Sequence, residues 1–238
     1  MGGARVRAAF VGRDPELDRL DAALARMKRG DGLAVFCGGE AGIGKTRLIS
    51  EFTGRAAAAG CAILAGGCVE LGSAGLPYGP FAEALRTAAA GATLDPSTLH
   101  SSVVEQLSLL VPDLARTAPD PGAGWSELGG LGQVRLFEAV LAAIARIAET
   151  RPVVLVIEDL HWADRSTQDL LSFLIRNVEA AGFLILGTIR TDAISRDAPL
   201  ASTLGELSRR PAVDRLDLGP LDIVGTAEHL RSIFGEEP

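Results

Sequence analysis

The chain has no surplus of positive charge and no long apolar run. Its formal net charge is −7, from 23 Lys and Arg against 30 Asp and Glu, and its only lysines are Lys28 and Lys45. A large non-specific nucleic-acid surface needs clustered cations, so this balance argues against direct DNA binding. No apolar stretch approaches the roughly 20 residues of a membrane span, and residues 1–10 lack the apolar core of a signal peptide. We expect a cytoplasmic protein without a membrane partner.

Cysteine is also scarce, and the number and spacing of the cysteines exclude complete disulfide pairing within the chain and a typical zinc site. Cys37, Cys61 and Cys68 cannot all pair within one chain, and their spacing matches no zinc template. We expect three small buried residues of a protein in a reducing compartment. With 47% hydrophobic and 22% charged residues in 238, the composition is that of a globular domain with one substantial core.

Strand-like and helix-like segments alternate along the chain, which favours a parallel sheet covered by helices. Short apolar runs bounded by Gly or Pro indicate buried strands, and apolar residues at a spacing of 3.6 indicate helices. The predicted strands are 33–37, 61–65, 153–157, 183–189 and 213–218. The predicted helices begin near residues 14, 46, 81, 102, 134, 166, 200 and 223. The fold class expected from this order is α/β.

Two helix starts carry capping signals. In residues 14–16, an Asp precedes Pro and Glu, an order typical of an N-cap followed by a first helical turn, and Gly30 would end this helix. Residues 166–169 resemble a capping box with Ser166 as the N-cap. Leucines that would face the core follow both signals, namely Leu17, Leu20, Leu24, Leu170 and Leu174.

One segment matches the phosphate-binding loop and consists of Gly39, Glu40, Ala41, Gly42, Ile43, Gly44, Lys45 and Thr46. Its glycines let the backbone fold so that successive N–H groups point at phosphate oxygens beside a helix N-terminus. Lys45 would contact the β- and γ-phosphates, and the Thr46 hydroxyl would bind Mg²⁺. A predicted strand before the segment and a helix after it complete the context. The segment therefore predicts a site for ATP or ADP with Mg²⁺.

Charged residues follow two of the predicted buried strands. Glu158 and Asp159 come directly after strand 153–157, at the sheet edge where open α/β sheets bind ligands. In such a pair, one carboxylate would bind the metal's water shell, and the other would orient or deprotonate the attacking water. Arg190 ends the next strand and would reach a γ-phosphate at the same edge. A solvated strand end and an ordinary surface arginine are the alternatives.

His161 and Trp162 follow the acidic pair. A buried Trp beside a histidine with satisfied hydrogen bonds explains them as well as a catalytic histidine does. The sequence therefore assigns no role to His161.

Five segments occur in an order that resembles the AAA-type ATPase domain of STAND regulators. The resemblance is closest to the Orc1-like AAA domain at the N-terminus of large ATP-binding LuxR-type transcriptional regulators. The segments are 10–17 (FVGRDPEL), 39–46 (GEAGIGKT), 76–81 (LPYGPF), 156–164 (VIEDLHWAD) and 187–190 (GTIR). The resemblance runs from Phe10 to about Leu221 and implies a three-layer α/β/α P-loop NTPase with a central parallel sheet.

The resemblance also implies roles for individual residues. Residues 39–46 would be the Walker A loop, Glu158 and Asp159 the Walker B pair with Thr46 on Mg²⁺, and Arg190 a nucleotide sensor. The family usually has Asp at the first Walker B position, where this chain has the longer Glu158. The residues implied near the adenine are Val11, Gly12 and Arg13.

The implied domain division is an ATPase core over residues 1–221, with a loop-rich insertion at about 91–132, and the start of a helical lid over 222–238. In the large regulators the lid is followed by further domains, including a DNA-binding helix-turn-helix. We therefore expect a fragment or a short orphan protein. Its partners would be further copies of itself or those lid, sensor and helix-turn-helix domains.

The expected function is an ATP-binding regulatory switch that hydrolyses ATP slowly. One alternative is an interaction module that holds nucleotide without significant turnover, and another is a small-molecule kinase, although an acceptor site is not evident. A replication-initiator ATPase would need a DNA-binding winged helix, for which the chain has no room. Arg209 and Arg210, near a predicted strand start, are candidates for an arginine finger that a neighbouring subunit would supply.

Overall fold

The computed structural model describes residues 10–70, 76–114, 130–193 and 199–234. This part of the chain forms one parallel five-stranded sheet with helices on both faces. The strands are β1 (Leu33–Gly39), β2 (Ala62–Gly67), β3 (Val153–Glu158), β4 (Leu184–Arg190) and β5 (Val213–Asp217). The helices are α1 (Asp14–Lys28), α2 (Lys45–Ala58), α3 (Gly79–Ala90), α4 (Ser101–Ser108), α5 (Gly130–Ala148), α6 (Arg165–Ala181), α7 (Pro199–Leu207) and α8 (Ile223–Phe234).

The two faces of the sheet have separate cores because successive side chains of a strand point to opposite sides. In β1, Leu33, Val35 and Cys37 pack with α1 and α2. Ala34 and Phe36 belong to the larger core, to which α3, α4, α5, α6 and α7 contribute. The predicted three-layer α/β/α fold with a central parallel sheet is confirmed.

The strand order β2-β3-β4-β1-β5 decides which residues meet at the carboxyl edge. Strand β4 lies between β1, which leads into the phosphate-binding loop, and β3, which carries the acidic pair. The register places Arg190 opposite Gly39 and Gly187 opposite Ile157. The loop, the carboxylates and the arginine therefore emerge side by side.

The insertion predicted at about 91–132 is described only in part. Its predicted helix is α4, flanked by 3₁₀ turns at Pro96–Thr98 and Pro112–Leu114. Residues 115–129 lie outside the described residues, as do residues 1–9 and 235–238 at the two ends. Among the described helices, none combines the length and apolarity needed to cross a membrane.

Both predicted N-caps were wrong. Helix α1 begins at Asp14 itself, and Arg13 is the N-cap residue, without a capping side-chain hydrogen bond. Asp14 acts instead as an acidic residue in the first turn, beside the positive end of the helix dipole. Helix α6 is capped by Asp164, whose carboxylate accepts hydrogen bonds from the N–H groups of Ser166 (3.0 Å) and Thr167 (3.1 Å). Ser166 already lies inside the helix.

The α6 cap can be tested by a pair of alanine substitutions. Asp164→Ala should lower the free energy of unfolding by about 1 kcal/mol, because two N–H groups lose their acceptor. Ser166→Ala should change it by less than about 0.5 kcal/mol, since alanine is tolerated in the first turn. Urea unfolding of both variants measures the difference. A larger loss for Ser166→Ala would restore the capping box that the sequence suggested.

Candidate nucleotide-binding site

The loop between β1 and α2 is folded around the Lys45 side chain. Its Nζ donates hydrogen bonds to the carbonyl oxygens of Gly39 (2.8 Å) and Glu40 (2.7 Å), and only 6% of the residue is exposed. Gly42 and Gly44 have φ angles of 76° and 103°, which L side chains rarely adopt. Glycine is therefore required at both positions to hold the loop around the ammonium group.

The first turn of α2 is open to an anion. Gly44 is its N-cap residue and supplies no side-chain acceptor for the free N–H groups. Thr46 is exposed on the same turn, beside the buried Lys45. A helix N-terminus with uncapped N–H groups and a neighbouring ammonium group suits phosphate.

The acidic pair is held by a hydrogen bond from the neighbouring strand. Glu158 is the last residue of β3, and Asp159 follows with a left-handed φ of 56°. The Asp159 N–H donates to Thr188 Oγ1 on β4 at 2.9 Å, and Thr188 is buried. The Asp159 carboxylate is 46% exposed and so remains accessible. Sequence reasoning missed Thr188, whose signal was a polar residue within a buried strand.

Arg190 lies beside the first glycine of the loop, as the register of β1 and β4 requires. Its Nη2 donates to Asp192 Oδ2 at 3.1 Å, and this bond lowers the pKa of Asp192. Its Nε is buried and has no hydrogen-bond partner in the part of the chain that the structure describes. The guanidinium therefore keeps one donor that no described residue accepts.

His161 and Trp162 are arranged differently from the buried aromatic pair considered above. Trp162 is 38% exposed, whereas the His161 side chain is 2% exposed. No described residue forms a hydrogen bond with either nitrogen of the His161 ring. Burial lowers the pKa of this imidazole below its usual value, against the opposing effect of the nearby Asp159 carboxylate. The interpretation of His161 as a histidine with satisfied hydrogen bonds beside a buried Trp was therefore wrong.

A cavity of about 370 Å³ adjoins the loop on the side of the N-terminal segment. It is lined by Phe10, Val11, Arg13, Gly42, Ile43, Gly44, Arg47, Pro220, Leu221 and His229. Gly12 touches α8 beside it, because a Cβ on Gly12 would lie 2.9 Å from Gly225 Cα. The cavity is thus lined by segments that are distant in sequence, namely the N-terminal segment, the phosphate-binding loop and the region around α8.

Arg13 ties these segments together. Its guanidinium donates to the carbonyl oxygens of Gly219 (2.6 Å) and Ile43 (3.2 Å) and pairs with Glu16 at 2.7 Å. Only 7% of the residue is exposed. Arg13 therefore holds the cavity wall and has little guanidinium surface left for a ligand.

The three cysteines and the two candidates for an arginine finger do not line the cavity beside the loop. Cys37, Cys61 and Cys68 are buried and free, as expected, and burial raises the pKa of Cys37 and of Cys68 to about 12. Arg209 and Arg210 precede β5 and lie at the amino edge of the sheet, opposite the loop. They cannot serve the site of their own chain.

The described residues form no cluster of three or more His, Cys, Asp or Glu side chains that would hold a metal ion alone. Proteins usually bind Mg²⁺ through one or two carboxylates together with phosphate oxygens and water, and the residues predicted for that role from the sequence, Thr46, Glu158 and Asp159, stay a prediction.

The fold is that of a P-loop NTPase-like α/β domain. A sequence model described as the AAA ATPase domain matches residues 9–186. The chain therefore belongs to the AAA ATPase domain family.

Individual proteins resemble the chain at lower identity. An uncharacterised protein of Rhizobium meliloti (strain 1021) is 27% identical over 240 residues, which cover 92% of this chain and 21% of the relative. This chain therefore spans about a fifth of the length of that curated relative.

Two solved structures share the fold. The Aeropyrum pernix ORC1 protein in complex with DNA superposes with a TM-score of 0.54 and 16% identity, covering 99% of this chain and 53% of that chain. A STAND protein with a tetratricopeptide repeat sensor from Pyrococcus horikoshii superposes with a TM-score of 0.52 and 17% identity, covering 99% of this chain and 27% of that chain. At these identities the likeness concerns the fold.

Proposed function

We propose that this domain binds ATP with Mg²⁺ and hydrolyses it slowly, as the switch of a longer STAND- or LuxR-type transcriptional regulator. The observation that carries the proposal is the shared position of three groups. Lys45 lies inside the phosphate-binding loop after β1, and Arg190 on β4 and Asp159 after β3 follow it along the same sheet edge. Cation, carboxylate and guanidinium are the groups that phosphoryl transfer to water requires.

Each residue has a defined task in this reaction. The N–H groups of residues 42–46 bind phosphate oxygens, and Lys45 exchanges its two carbonyl partners for the β- and γ-phosphates. Thr46 and the acidic pair would hold Mg²⁺, which would supply positive charge that offsets the charge of the phosphates. Asp159 orients the attacking water and accepts its proton, Glu158 holds the metal's water shell, and Arg190 stabilises charge on the γ-phosphate. The products are ADP and phosphate.

The cavity beside the loop supports an adenine site next to α8. Val11 and Arg13 line it, and Gly12 touches α8, so a bound base would contact both the core and the segment that follows it. We assign residues 1–221 to the ATPase core and 222–238 to the start of a lid. A ligand that favours one arrangement of core and lid shifts the population of that arrangement.

The role in a regulator rests on the five resembling segments and on the greater length of the relative from Rhizobium meliloti. The partners would be further domains of the same polypeptide or additional copies of the chain. Direct DNA contact by this domain is not proposed, since its net charge is −7.

The test of nucleotide binding uses the two lysines of the chain. Lys45→Ala should weaken binding of a fluorescent ATP analogue by about 30- to 150-fold, since it removes a charged hydrogen-bond donor worth about 2–3 kcal/mol. Lys28→Ala is the matched control, because Lys28 is exposed on the last turn of α1. Titrations with and without Mg²⁺, together with phosphate release, provide the measurement.

Equal affinities for the two variants would overturn the proposed site. Wild-type binding without phosphate release would identify the domain as an interaction module that holds nucleotide. Absence of binding by the folded wild type would refute the proposed function.

A further inference from the structure

The 3₁₀ turn Leu160–Trp162, which follows the acidic pair, is fixed to the sheet. Leu160 is fully buried, and a Cβ on Gly187 would lie 2.6 Å from its Cδ1. The Trp162 N–H donates to the carbonyl oxygen of Asp159 at 2.9 Å. His161 lies in the middle of this turn, so its backbone is held and its side-chain torsions are the remaining freedom.

The His161 ring is buried, and none of residues 10–70, 76–114, 130–193 and 199–234 forms a hydrogen bond with it. A neutral imidazole has one N–H donor and one acceptor nitrogen, and both are without a partner. Each unsatisfied buried polar group costs about 1–3 kcal/mol, and native proteins satisfy the large majority of them. Two such nitrogens on one ring, 2% exposed, therefore indicate a partner that arrives with a change in the site.

The surroundings of the ring belong to the nucleotide site. The charges acting on it are those of Asp159, Arg190, Lys45 and Asp192. His161 Nδ1 lies 3.8 Å from Asp159 Oδ1, about 0.6–1.1 Å beyond a normal N–H···O distance. A modest side-chain rotation closes this gap. Arg190 Nε, also buried and without a partner, lies at the same edge.

Building on the proposed ATPase function, we infer that His161 is a positioning residue for Asp159. When nucleotide and Mg²⁺ bind, Nδ1–H of His161 donates a hydrogen bond to the Asp159 carboxylate and holds it toward the attacking water. The backbone of Asp159 is already fixed through Thr188, but its carboxylate is 46% exposed and would otherwise rotate. A fixed donor keeps the carboxylate in the productive orientation.

Three substitutions at His161 separate its two nitrogens. The amide nitrogen of Asn lies the same number of bonds from Cα as Nδ1 of His. The amide nitrogen of Gln lies the same number of bonds from Cα as Nε2 of His, and Leu has no donor. We expect H161N to retain kcat within about threefold, and H161Q and H161L to lose about tenfold or more. The affinity for an ATP analogue should change less than about twofold, because His161 acts on Asp159 and not on the nucleotide.

The outcomes of this series are distinct. Equal kcat in all three variants would overturn the inference, and retention by H161Q with loss in H161N would assign the role to Nε2 instead. A parallel fall of kcat and melting temperature would indicate a purely structural residue. H100N is the matched control, since His100 lies on the exposed N-terminus of α4.

Ring ¹⁵N NMR tests the inference without turnover. The chain contains three histidines, so H161N and H100N assign the signals. On addition of a non-hydrolysable ATP analogue with Mg²⁺, the His161 signals should shift toward a hydrogen-bonded Nδ1–H. Unchanged signals in a protein that binds the analogue would refute the role of His161 and leave the proposed function standing. Failure to bind the analogue would refute the proposed function itself.

Discussion

Replacing Asp159 with Asn should lower kcat for ATP hydrolysis by about 100-fold or more and leave ATP affinity within a few-fold of wild type. Asn keeps the size of the side chain and its backbone N–H bond to Thr188, but it cannot accept the proton of the attacking water. The substitution therefore removes one chemical step without disturbing the loop that binds phosphate. Phosphate release and analogue titration, measured on the same samples, check both parts.

The control for this loss is Asp169→Asn, because Asp169 pairs with Arg165 on the exposed surface of α6. It should leave both quantities unchanged. Glu158→Gln should weaken the Mg²⁺ dependence of binding more than it lowers kcat, since Glu158 is assigned to the metal's water shell. Full turnover in Asp159→Asn would contradict the assignment and transfer the proton-accepting role to Glu158.

Replacing Gly66 with Ala should destabilise the domain by about 3 kcal/mol or more, the upper end of what overpacking costs. A Cβ at Gly66 would overlap the carbonyl oxygen of Pro80 and lie 2.7–2.8 Å from its carbonyl carbon and Cα. These are backbone atoms of the first turn of α3, so the strain cannot be relieved by rotating a side chain. The helix must move away from β2.

The neighbouring glycine provides the matched control for this substitution. A Cβ at Gly67 meets nothing within 4 Å, and its N–H donates to Glu83 through the backbone, which alanine preserves. Gly67→Ala should therefore cost less than about 1 kcal/mol. Thermal unfolding should separate the two variants by roughly 5–10 °C. Similar melting temperatures would show that α3 tolerates displacement from the sheet.

The close approach at Gly66 also explains the segment LPYGPF. Tyr78, with a left-handed φ of 58°, turns the chain into α3, and its hydroxyl accepts a hydrogen bond from Gln133 at 3.2 Å. The segment fixes the start of α3 to the end of β2. Sequence reasoning recognised a turn before a helix there, but it contained no information about the neighbour that the turn contacts.

The strands were the most predictable elements because their signal is local. Largely apolar runs beside Gly or Pro indicated four of them, and the segment 213–218 indicated β5; each strand was found within about two residues of its predicted ends. The helix starts were less predictable, because several neighbouring side chains compete for the same N–H groups. At α6 the N-cap residue is Asp164 and not Ser166, because the Asp164 carboxylate accepts hydrogen bonds from two N–H groups at once.

The chain's own sequence determined the alternation of strands and helices and the loop around Lys45, since periodicity and glycine spacing act over a few residues. Only the tertiary structure decided that β4 lies between β1 and β3, because strand pairing joins segments far apart in the chain. That order places Thr188 under Asp159 and Arg190 beside Gly39. It also buries His161 without a partner, because a ring's burial depends on every segment packed around it.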